Sequence, residues 1–290
     1  MTKTILEHIE KPNIDYISVT AGPGLEPALW VGISFARALG VAWNIPVIPA
    51  NHMEGHIVSP LLSIHPSASG HSPQGENPVV FPALALLISG GHTELVLIKN
   101  WLDYTVIGRT RDDAVGEAFD KVARLLSLPY PGGPHVSKLA EEARVAHTTP
   151  SVKLPRPMLK TKDFDFSFSG IKTAVLYSVQ KQIPLSEEIK KEYALEFENA
   201  VTEVLVAKTK RALDEYTIKT LILGGGVVAN TYIRKEFQKM VDEFGGVKLL
   251  IPAIKDSTDN AVMIAAAGYL HILAGTKLPD NFVAKGNLSF

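Results

Sequence analysis

The sequence predicts an α/β protein with two lobes, in which mixed β-sheets are flanked by helices. Short apolar and β-branched runs alternate with helical segments, which is the pattern of a layered sheet covered by helices. A hairpin signal at residues 83–98 interrupts this alternation, so antiparallel as well as parallel strands are expected. A glycine loop followed by a helix occurs in both halves of the chain, and this recurrence indicates the two-lobed design.

The first half of the chain contains these elements in order: a strand at 16–20, a glycine loop at 21–24, a helix at 29–43, a strand at 45–49 and a second helix. Asn51 is a favourable cap for that second helix, which carries His52 and His56. The helix at 29–43 is apolar nearly all round, so burial in the core is expected in preference to a partner surface. Residues 63–82 are rich in Ser, Pro, Gly and His and are expected to form a mobile surface loop.

The second half begins with apolar runs that flank Ser89-Gly90-Gly91-His92, which predicts a β-hairpin. Residues 150–169 hold three prolines and are expected to form an ordered linker over a site. The remaining predicted elements are a helix from 112 or 113 to about 128, helices near 170–182 and 186–215, a strand at 221–223, a helix at 229–242, a strand at 248–251 and a helix at 259–273.

The composition excludes several classes of function. The chain has 290 residues, 46% of them hydrophobic, which is ample for one large domain or two smaller ones. The formal net charge of −1 provides no strongly basic field for nucleic acid. Without cysteine, a metal ion would be bound by His, Asp, Glu or water. No apolar run reaches the roughly 18 residues of a membrane span, and residues 1–8 are too polar for a signal peptide, so a cytoplasmic protein is expected.

His52 and His56 form the first candidate site. Residues four apart share one face of a helix, so both imidazoles can reach one ion, although such pairs also occur by chance. Asp259, just before the last predicted helix, is the candidate third ligand, and helix capping is its alternative role. Two histidines and a carboxylate suit iron, manganese or zinc. Glu54 lies one place later than the glutamate of a zincin motif, which disfavours peptidase chemistry.

Four glycine loops form the second candidate site, at 22–24, 90–91, 132–133 and 224–226. Glycines at hairpin tips and helix starts let backbone amides approach an anion, although each loop alone is also compatible with a plain turn. None has the spacing of a P-loop or Rossmann motif. Asp120 shares a helix face with Glu117, where a carboxylate can bind ribose hydroxyls or simply face solvent.

Eight motifs then occur in order along the chain: Thr20-Ala21-Gly22-Pro23-Gly24-Leu25, Asn51-His52-Met53-Glu54-Gly55-His56, Ser89-Gly90-Gly91-His92-Thr93, Asp113-Ala114-Val115-Gly116-Glu117-Ala118-Phe119-Asp120-Lys121, Tyr130-Pro131-Gly132-Gly133-Pro134, Phe166-Ser167-Phe168-Ser169-Gly170-Ile171-Lys172-Thr173, Gly225-Gly226-Val227-Val228-Ala229-Asn230 and Thr258-Asp259-Asn260. Together they resemble the TsaD family, the tRNA threonylcarbamoyladenosine synthase subunit. The resemblance covers essentially the whole chain.

The resemblance implies an actin-like (ASKHA, ribonuclease H-like) fold and transfer of a threonylcarbamoyl group from threonylcarbamoyl-AMP. The acceptor it implies is N6 of the adenosine at position 37, beside the anticodon, in tRNAs that read ANN codons. It implies that His52, His56 and Asp259 hold a divalent metal ion, usually iron. The substrate-binding residues it implies are Leu87, Ile88, Ser89, Gly90, Gly91, Asp120 as the ribose ligand, Gly133 and Asn230. No general base is assigned.

The implied domain organisation divides the chain into three parts. Residues 1–100 form the remainder of the N-terminal lobe, 101–250 form the C-terminal lobe, and 251–290 return to the cleft and the N-terminal lobe. Members of the family usually begin with a β-hairpin and further strands. The chain starts just before the strand at 16–20, so a shortened member without its first strands is expected.

The partners implied by the resemblance are tRNA, a TsaB-like protein and a TsaE-like protein. The densest basic stretch is a candidate tRNA contact, with a solvated loop as the alternative; it consists of Lys153, Arg156, Lys160 and Lys162. Two other functions stay open at this point. One is an ATPase or sugar kinase of the same fold, and the other is a non-catalytic scaffold.

Overall fold

The computed structural model describes residues 13–62, 79–180, 184–277, 279 and 281–290. It divides into two compact units, one of Met1–Leu62 with Asp259–Phe290 and the other of Ser63–Thr258. Residues 1–8 and most of the predicted loop at 63–82 lie outside the described residues.

The predicted helices and strands occur in the expected order, and a further strand lies at Asp103–Arg109. Those of the first half are β1 (Ile17–Gly22), α1 (Glu26–Trp43), β2 (Val47–Asn51), α2 (His52–Leu62), β3 (Ala83–Ile88), β4 (Thr93–Asn100), β5 (Asp103–Arg109) and α3 (Val115–Leu125). Those of the second half are α4 (Gly132–Val145), α5 (Ser169–Val179), α6 (Glu187–Glu215), β6 (Thr220–Gly224), α7 (Thr231–Phe244), β7 (Lys248–Leu250) and α8 (Ala261–Leu273). Short 3₁₀ turns at Gly226–Ala229 and Ile254–Asp256 precede α7 and α8.

The first unit is built on β1 and β2, which pair in parallel from Ile17 opposite Val47 to Thr20 opposite Ala50. Helix α8 packs against both strands and against α2. Its approach to β1 is close, because a Cβ atom on Gly268 would lie only 2.4 Å from Ser18 Oγ. The Ser18 hydroxyl also donates to the carbonyl oxygen of Ile264 over 2.7 Å. These contacts hold α8 against β1, and Gly55 of α2 lies against Met263 and Ile264 near the start of α8.

Helix α1 corrects the expectation of a buried helix at 29–43. Among its residues only Ile33, Ala36 and Gly40 are buried. A two-stranded sheet is a narrow platform, so the helix covers it with one narrow face and leaves the other face in solvent. The large apolar side chains exposed on or beside α1 are Leu25, Trp30, Val31, Phe35 and Val41.

The second unit contains a five-stranded sheet in the order β5-β4-β3-β6-β7. The hairpin partners β3 and β4 are antiparallel, as are β4 and β5, whereas β6 is parallel to both β3 and β7. Every residue of β3 is buried, because the central strand is covered on both faces. The predicted mixed sheet flanked by helices is therefore confirmed.

The unit boundaries differ from the predicted domain limits of 100 and 250. Strand β3 pairs with β4 on one side and with β6 on the other, so the hairpin belongs to the same unit as β6. The first boundary therefore falls after Leu62, and the chain re-enters the first unit at Asp259.

Helix α5 is capped by a residue from a distant loop. The carboxylate of Asp112 accepts hydrogen bonds from the Ser167 hydroxyl (2.6 Å) and the Ser169 hydroxyl (2.7 Å). It also accepts from the backbone N–H groups of Phe168 (2.8 Å) and Ser169 (3.2 Å). The first-turn amides of α5 thus obtain an acceptor that the local sequence does not supply.

Candidate metal centre and cavity

Helix α2 presents two histidines from its first turn. Asn51 Oδ1 accepts the Met53 N–H over 2.8 Å, so this helix is capped as predicted. The spacing of four residues brings the His52 and His56 rings to a centroid distance of 4.8 Å, with an angle of 81° between their planes. One nitrogen of each ring therefore lies within reach of the same small volume.

Asp259 completes this group. Its Oδ1 atom lies 3.3 Å from His52 Nε2 and 3.2 Å from His56 Nε2. Asn260, and not Asp259, caps α8 by accepting the Met263 N–H over 3.0 Å. Close contacts with the His52 imidazole and then with the His56 imidazole hold the pKa of the Asp259 carboxyl well below its usual range. The capping role is thus taken by its neighbour, and Asp259 is available as a ligand.

The three side chains fit a metal ion. His56 is completely buried, and within the described residues neither of its ring nitrogens has an aligned hydrogen-bond partner. A buried nitrogen without a partner is costly, and metal coordination is one way to satisfy it. Two ligand atoms on an ion about 2.1 Å away lie roughly 3.0–3.4 Å apart, which agrees with the 3.2 and 3.3 Å from Asp259 Oδ1 to the two imidazole nitrogens. All three ligand atoms lie within 4.8 Å of one another. A set of two nitrogens and one oxygen suits iron, zinc or manganese.

Glu54 is engaged elsewhere. Although it lies between the two histidines in sequence, its carboxylate is 2.9 Å from His271 Nε2 on α8. The hydrogen bond with Glu54 raises the pKa of His271. This pair links α2 to α8, which agrees with the sequence argument against a zincin-type general base.

A cavity of about 830 Å³ lies within the second unit. Its walls come from the β3–β4 turn and α3, from α4 along its length, from Lys191 of α6, and from the loop before α7. The predicted site residues that line it are Gly90, Asp120, Gly133 and Asn230. Its volume is that of a typical small-molecule site. Four of the residues predicted from separate motifs are thus brought together by the fold.

The remaining predicted residues of the hairpin do not line the cavity. Leu87 and Ile88 are buried in β3 and belong to the core. The Ser89 hydroxyl accepts the backbone N–H groups of Gly91 and His92, which shapes the hairpin turn. Among the five hairpin residues, Gly90 is the one that lines the cavity.

Two glycines permit the close packing of the cavity walls. A Cβ atom on Gly132 would lie 2.4 Å from the Ala123 Cβ, so α4 could not approach α3 as it does. Gly225 has a φ of +96°, and a Cβ there would lie 2.3 Å from the Ile88 carbonyl oxygen. The Gly132 N–H also donates to Asp120 Oδ1 over 2.7 Å, which orients that carboxylate. The glycine motifs therefore serve packing as well as ligand access.

Sequence reasoning missed a polar group behind the cavity. Ser137 on α4 lines the cavity next to Asn230. Glu198 on α6 is buried, bonded to Asn230, and paired with Arg144. A signal for Glu198 was present in the sequence, because it lies among apolar residues in the segment 193–205. A charged residue on a buried helix face requires a partner.

The basic stretch at 153–162 is divided by the structure. The Arg156 guanidinium pairs with Glu196 and Glu203 of α6. Three lysines of the stretch remain exposed, namely Lys153, Lys160 and Lys162. None of the helices in the described ranges combines the length and apolar character needed to cross a membrane.

Comparison with solved structures shows the fold. A full-length HypF in a phosphate- and nucleotide-bound form aligns with 86% of this chain at a TM-score of 0.60 and 13% identity. HypF from T. kodakarensis aligns with 92% of the chain, also at 0.60 and 13%. The chain spans 46% and 42% of these two proteins. At this identity the likeness concerns the fold alone, and it agrees with the expected actin-like α/β class.

Comparison with sequences shows the family. The sequence model of TsaD, tRNA N6-adenosine threonylcarbamoyltransferase, matches residues 2–266. Proteins of that name from Geobacillus thermodenitrificans and Bacillus subtilis are 46% and 44% identical, over 88% and 91% of this chain and 70% and 72% of theirs. The one from Thermosipho africanus is 43% identical over 98% of this chain and 80% of its own length. This chain therefore belongs to the TsaD family of tRNA N6-adenosine threonylcarbamoyltransferases.

Proposed function

We propose that this protein transfers the threonylcarbamoyl group of threonylcarbamoyl-AMP to N6 of the adenosine at position 37 of tRNAs that read ANN codons. The product is N6-threonylcarbamoyladenosine. Family membership supports the reaction. The observation that carries the proposal for this chain is the convergence of Gly90, Asp120, Gly133 and Asn230 on one cavity. That cavity is the proposed site of the adenylate part of the donor.

Asp120 is the proposed ribose ligand. Its Oδ1 atom is held by the Gly132 N–H, which leaves Oδ2 to accept a hydrogen bond from a sugar hydroxyl. The start of α4 at Gly133 lies in the same wall and provides backbone amides for an anion. Among the described residues, no heavy atom beyond the local backbone and chain neighbours lies within 4 Å of the Cβ position of Gly133 or Gly226, so a nucleotide can approach both backbones.

The chemistry requires positioning more than activation. The donor is a mixed anhydride, so AMP is already a good leaving group. The N6 nitrogen attacks the carbamoyl carbon, the new N–C bond forms, the C–O bond to phosphate breaks, and N6 loses a proton. Residues that hold both reactants in attacking geometry provide the main acceleration. No general base is proposed among the described residues.

His52, His56 and Asp259 are the proposed holders of one divalent metal ion, which we propose to be iron(II), with zinc and manganese as the alternatives. When bound, such an ion acts as a Lewis acid for phosphate or carbamoyl oxygens. Neutral nitrogens from both histidines and the ionised carboxylate of Asp259 are the forms required for coordination.

The first experiment measures metal content and modified nucleoside together. Purified protein is supplied with threonylcarbamoyl-AMP, unmodified tRNA and its partner proteins, and the product is detected by mass spectrometry. His52→Ala combined with His56→Ala is expected to abolish metal binding and transfer. His147→Asn is the matched control, because His147 is exposed and asparagine tolerates its positive φ of 53°. Unchanged metal content and transfer in the double variant would refute the metal proposal.

The same preparation tests the alternative functions. A kinase or ATPase of this fold would release phosphate from ATP steadily without tRNA. A scaffold would bind partners yet give no modified adenosine when supplied with donor and tRNA. Asp120→Ala is expected to weaken AMP binding at least tenfold, since a charged hydrogen bond to ribose is lost. Unaltered AMP affinity in that variant would refute the assignment of the cavity.

We propose cytoplasmic location, with TsaB-like and TsaE-like partners. The exposed apolar face of α1 supports a protein partner on the first unit. Exposed Lys153, Lys160 and Lys162 support a tRNA contact on the second. Replacing the three lysines by glutamate is expected to lower tRNA affinity and reduce its dependence on salt. An unchanged salt dependence would show that tRNA binds elsewhere.

A further inference from the structure

Glu198 lies behind the cavity wall and connects two of its sides. Its side chain is 1% exposed and belongs to α6, which does not line the cavity at this position. Asn230 Nδ2 donates to Glu198 Oε1 over 2.7 Å, and Arg144 Nη2 donates to Oε2 over 2.9 Å. The Ser137 hydroxyl also hydrogen-bonds to this carboxylate. Ser137 and Asn230 line the cavity from α4 and from the start of α7.

The polar atoms of the Asn230 amide are largely committed inside the protein. One N–H of Nδ2 reaches Glu198 Oε1, and the other reaches Ser137 Oγ, also over 2.7 Å. Its Oδ1 atom accepts the Ile233 N–H over 2.9 Å and so caps α7. An amide oxygen has two lone pairs, so one acceptor position remains. Asn230 can therefore offer a ligand an acceptor, but no donor.

The second oxygen of Glu198 is held as firmly as the first. The Arg144 guanidinium that contacts it also donates to Glu141 and to Asn199 Oδ1. It lies 3.6 Å from the centroid of the Tyr232 ring, which restricts it further. Burial raises the pKa of the Glu198 carboxyl, and hydrogen bonds from Asn230 and Arg144 oppose this effect. Donors thus approach from two sides, and only a group with two acceptor oxygens satisfies both.

We propose that Glu198 is a positioning residue for the nucleotide site. It fixes the Asn230 amide so that this part of the wall presents only an acceptor, which selects a ligand with a hydroxyl or amine donor at that point. The inference rests on the proposed nucleotide function of the cavity. Glu198 acts through Asn230 and Ser137 and does not touch the ligand.

The decisive experiment exchanges the acid and the amide between two positions. In Glu198→Gln, the single amide oxygen can accept from Asn230 or from Arg144 but not from both. In Asn230→Asp, two buried carboxylates face each other. In the double variant Glu198→Gln/Asn230→Asp, the N–H groups of the introduced glutamine donate to the introduced aspartate, while the glutamine oxygen accepts from Arg144. The aspartate still caps α7 and still presents an acceptor to the cavity.

The measurement is the affinity of the purified full chain for AMP by titration calorimetry, with thermal unfolding as the check on folding. Each single variant is expected to bind AMP about tenfold more weakly, because the side chain at position 230 is no longer held in place and the ligand loses about one hydrogen bond to it. The double variant is expected to recover to within about threefold of the wild type. A merely structural role of Glu198 would change thermal stability in the single variants without changing the affinity of the folded protein for AMP.

The matched control is Glu196→Gln. Glu196 is also a buried carboxylate on α6 paired with an arginine, since it accepts from Arg156 and from the Leu154 N–H over 3.0 Å. It does not line the cavity, so this variant is expected to be less stable but to bind AMP normally. Wild-type affinity in Glu198→Gln, or a double variant no better than the single ones, would overturn the role of Glu198. Failure of the wild type itself to bind AMP would refute the nucleotide function, and this inference with it.

Discussion

Gly132 offers the most direct test of how α3 and α4 shape the cavity. We predict that Gly132→Ala lowers both the stability of the protein and the rate of transfer. The new Cβ atom would lie 2.4 Å from the Ala123 Cβ, 2.9 Å from the Asp120 Cα and 3.1 Å from Asp120 Oδ1. Carbon atoms in contact are normally about 3.5–4.0 Å apart. Helix α4 must therefore move by more than about 1 Å away from α3.

The expected magnitude combines two opposing effects. Overpacking of this kind costs about 1–3 kcal/mol, whereas alanine in a helix is up to about 1 kcal/mol more favourable than glycine. A net loss of about 1–2 kcal/mol in the free energy of unfolding is expected. The displacement also stretches the 2.7 Å hydrogen bond from the Gly132 N–H to Asp120 beyond bonding distance. Misplacement by about 1 Å can slow a positioned reaction roughly 100-fold.

The assays are urea denaturation and formation of the modified nucleoside. Gly226→Ala is the matched control for stability, because Gly226 also lines the cavity but no described heavy atom beyond its chain neighbours lies within 4 Å of its Cβ position. Its stability is expected to stay within about 0.5 kcal/mol of the wild type. Adding Ala123→Gly to Gly132→Ala removes the closest overlap and is expected to restore part of the transfer rate. A Gly132→Ala protein with wild-type stability and activity would refute this reasoning.

Three further predictions concern stability. Asp112→Ala is expected to lower the free energy of unfolding by about 1 kcal/mol, because α5 loses its cap at a largely exposed site. Burial opposes ionisation of the Asp112 carboxyl, but its hydrogen bonds lower its pKa overall. The stabilisation is therefore present above about pH 4 and is lost as pH falls through the folded-state pKa, which denaturation at pH 7 and pH 3 would show. Because the pKa of His271 is raised, its pairing with Glu54 stabilises the folded protein below about pH 6.5. This stabilisation is lost as pH rises through the folded-state pKa of His271. His271→Gln should therefore flatten stability between pH 6 and pH 8, and an unchanged slope would contradict this pairing. Val31→Ser is expected to change stability by less than about 0.5 kcal/mol, because Val31 is 72% exposed, and a larger loss would mean that α1 is covered.

The local features of the site could be predicted from the sequence because they depend on near neighbours in the chain. The spacing of His52 and His56 places them on one helical face whatever surrounds that helix. Asn51 caps the helix through a contact two residues away, and the hairpin at Ser89–His92 follows from its glycine turn. Buried strands such as β3 could be predicted from apolar runs for the same reason.

The exposure of α1 could not be predicted in this way. The apolar composition of a helix indicates how favourable its burial would be, but it does not reveal which surface is available to cover the helix. The first unit offers α1 the two-stranded sheet of β1 and β2, so most of its large side chains remain exposed. The same limit explains the unit boundary after Leu62, which depends on β3 pairing with β6 far along the chain.

The sequence by itself determined the fold class, the family and the residues that carry the candidate chemistry. Only the tertiary structure decided how those residues share their tasks. It assigned capping of α8 to Asn260 and left Asp259 to the two histidines, and it placed Glu198 behind Asn230. The physical reason is that hydrogen-bond partners are allotted by distance and direction in space, and residues distant in sequence acquire these only when the chain is folded.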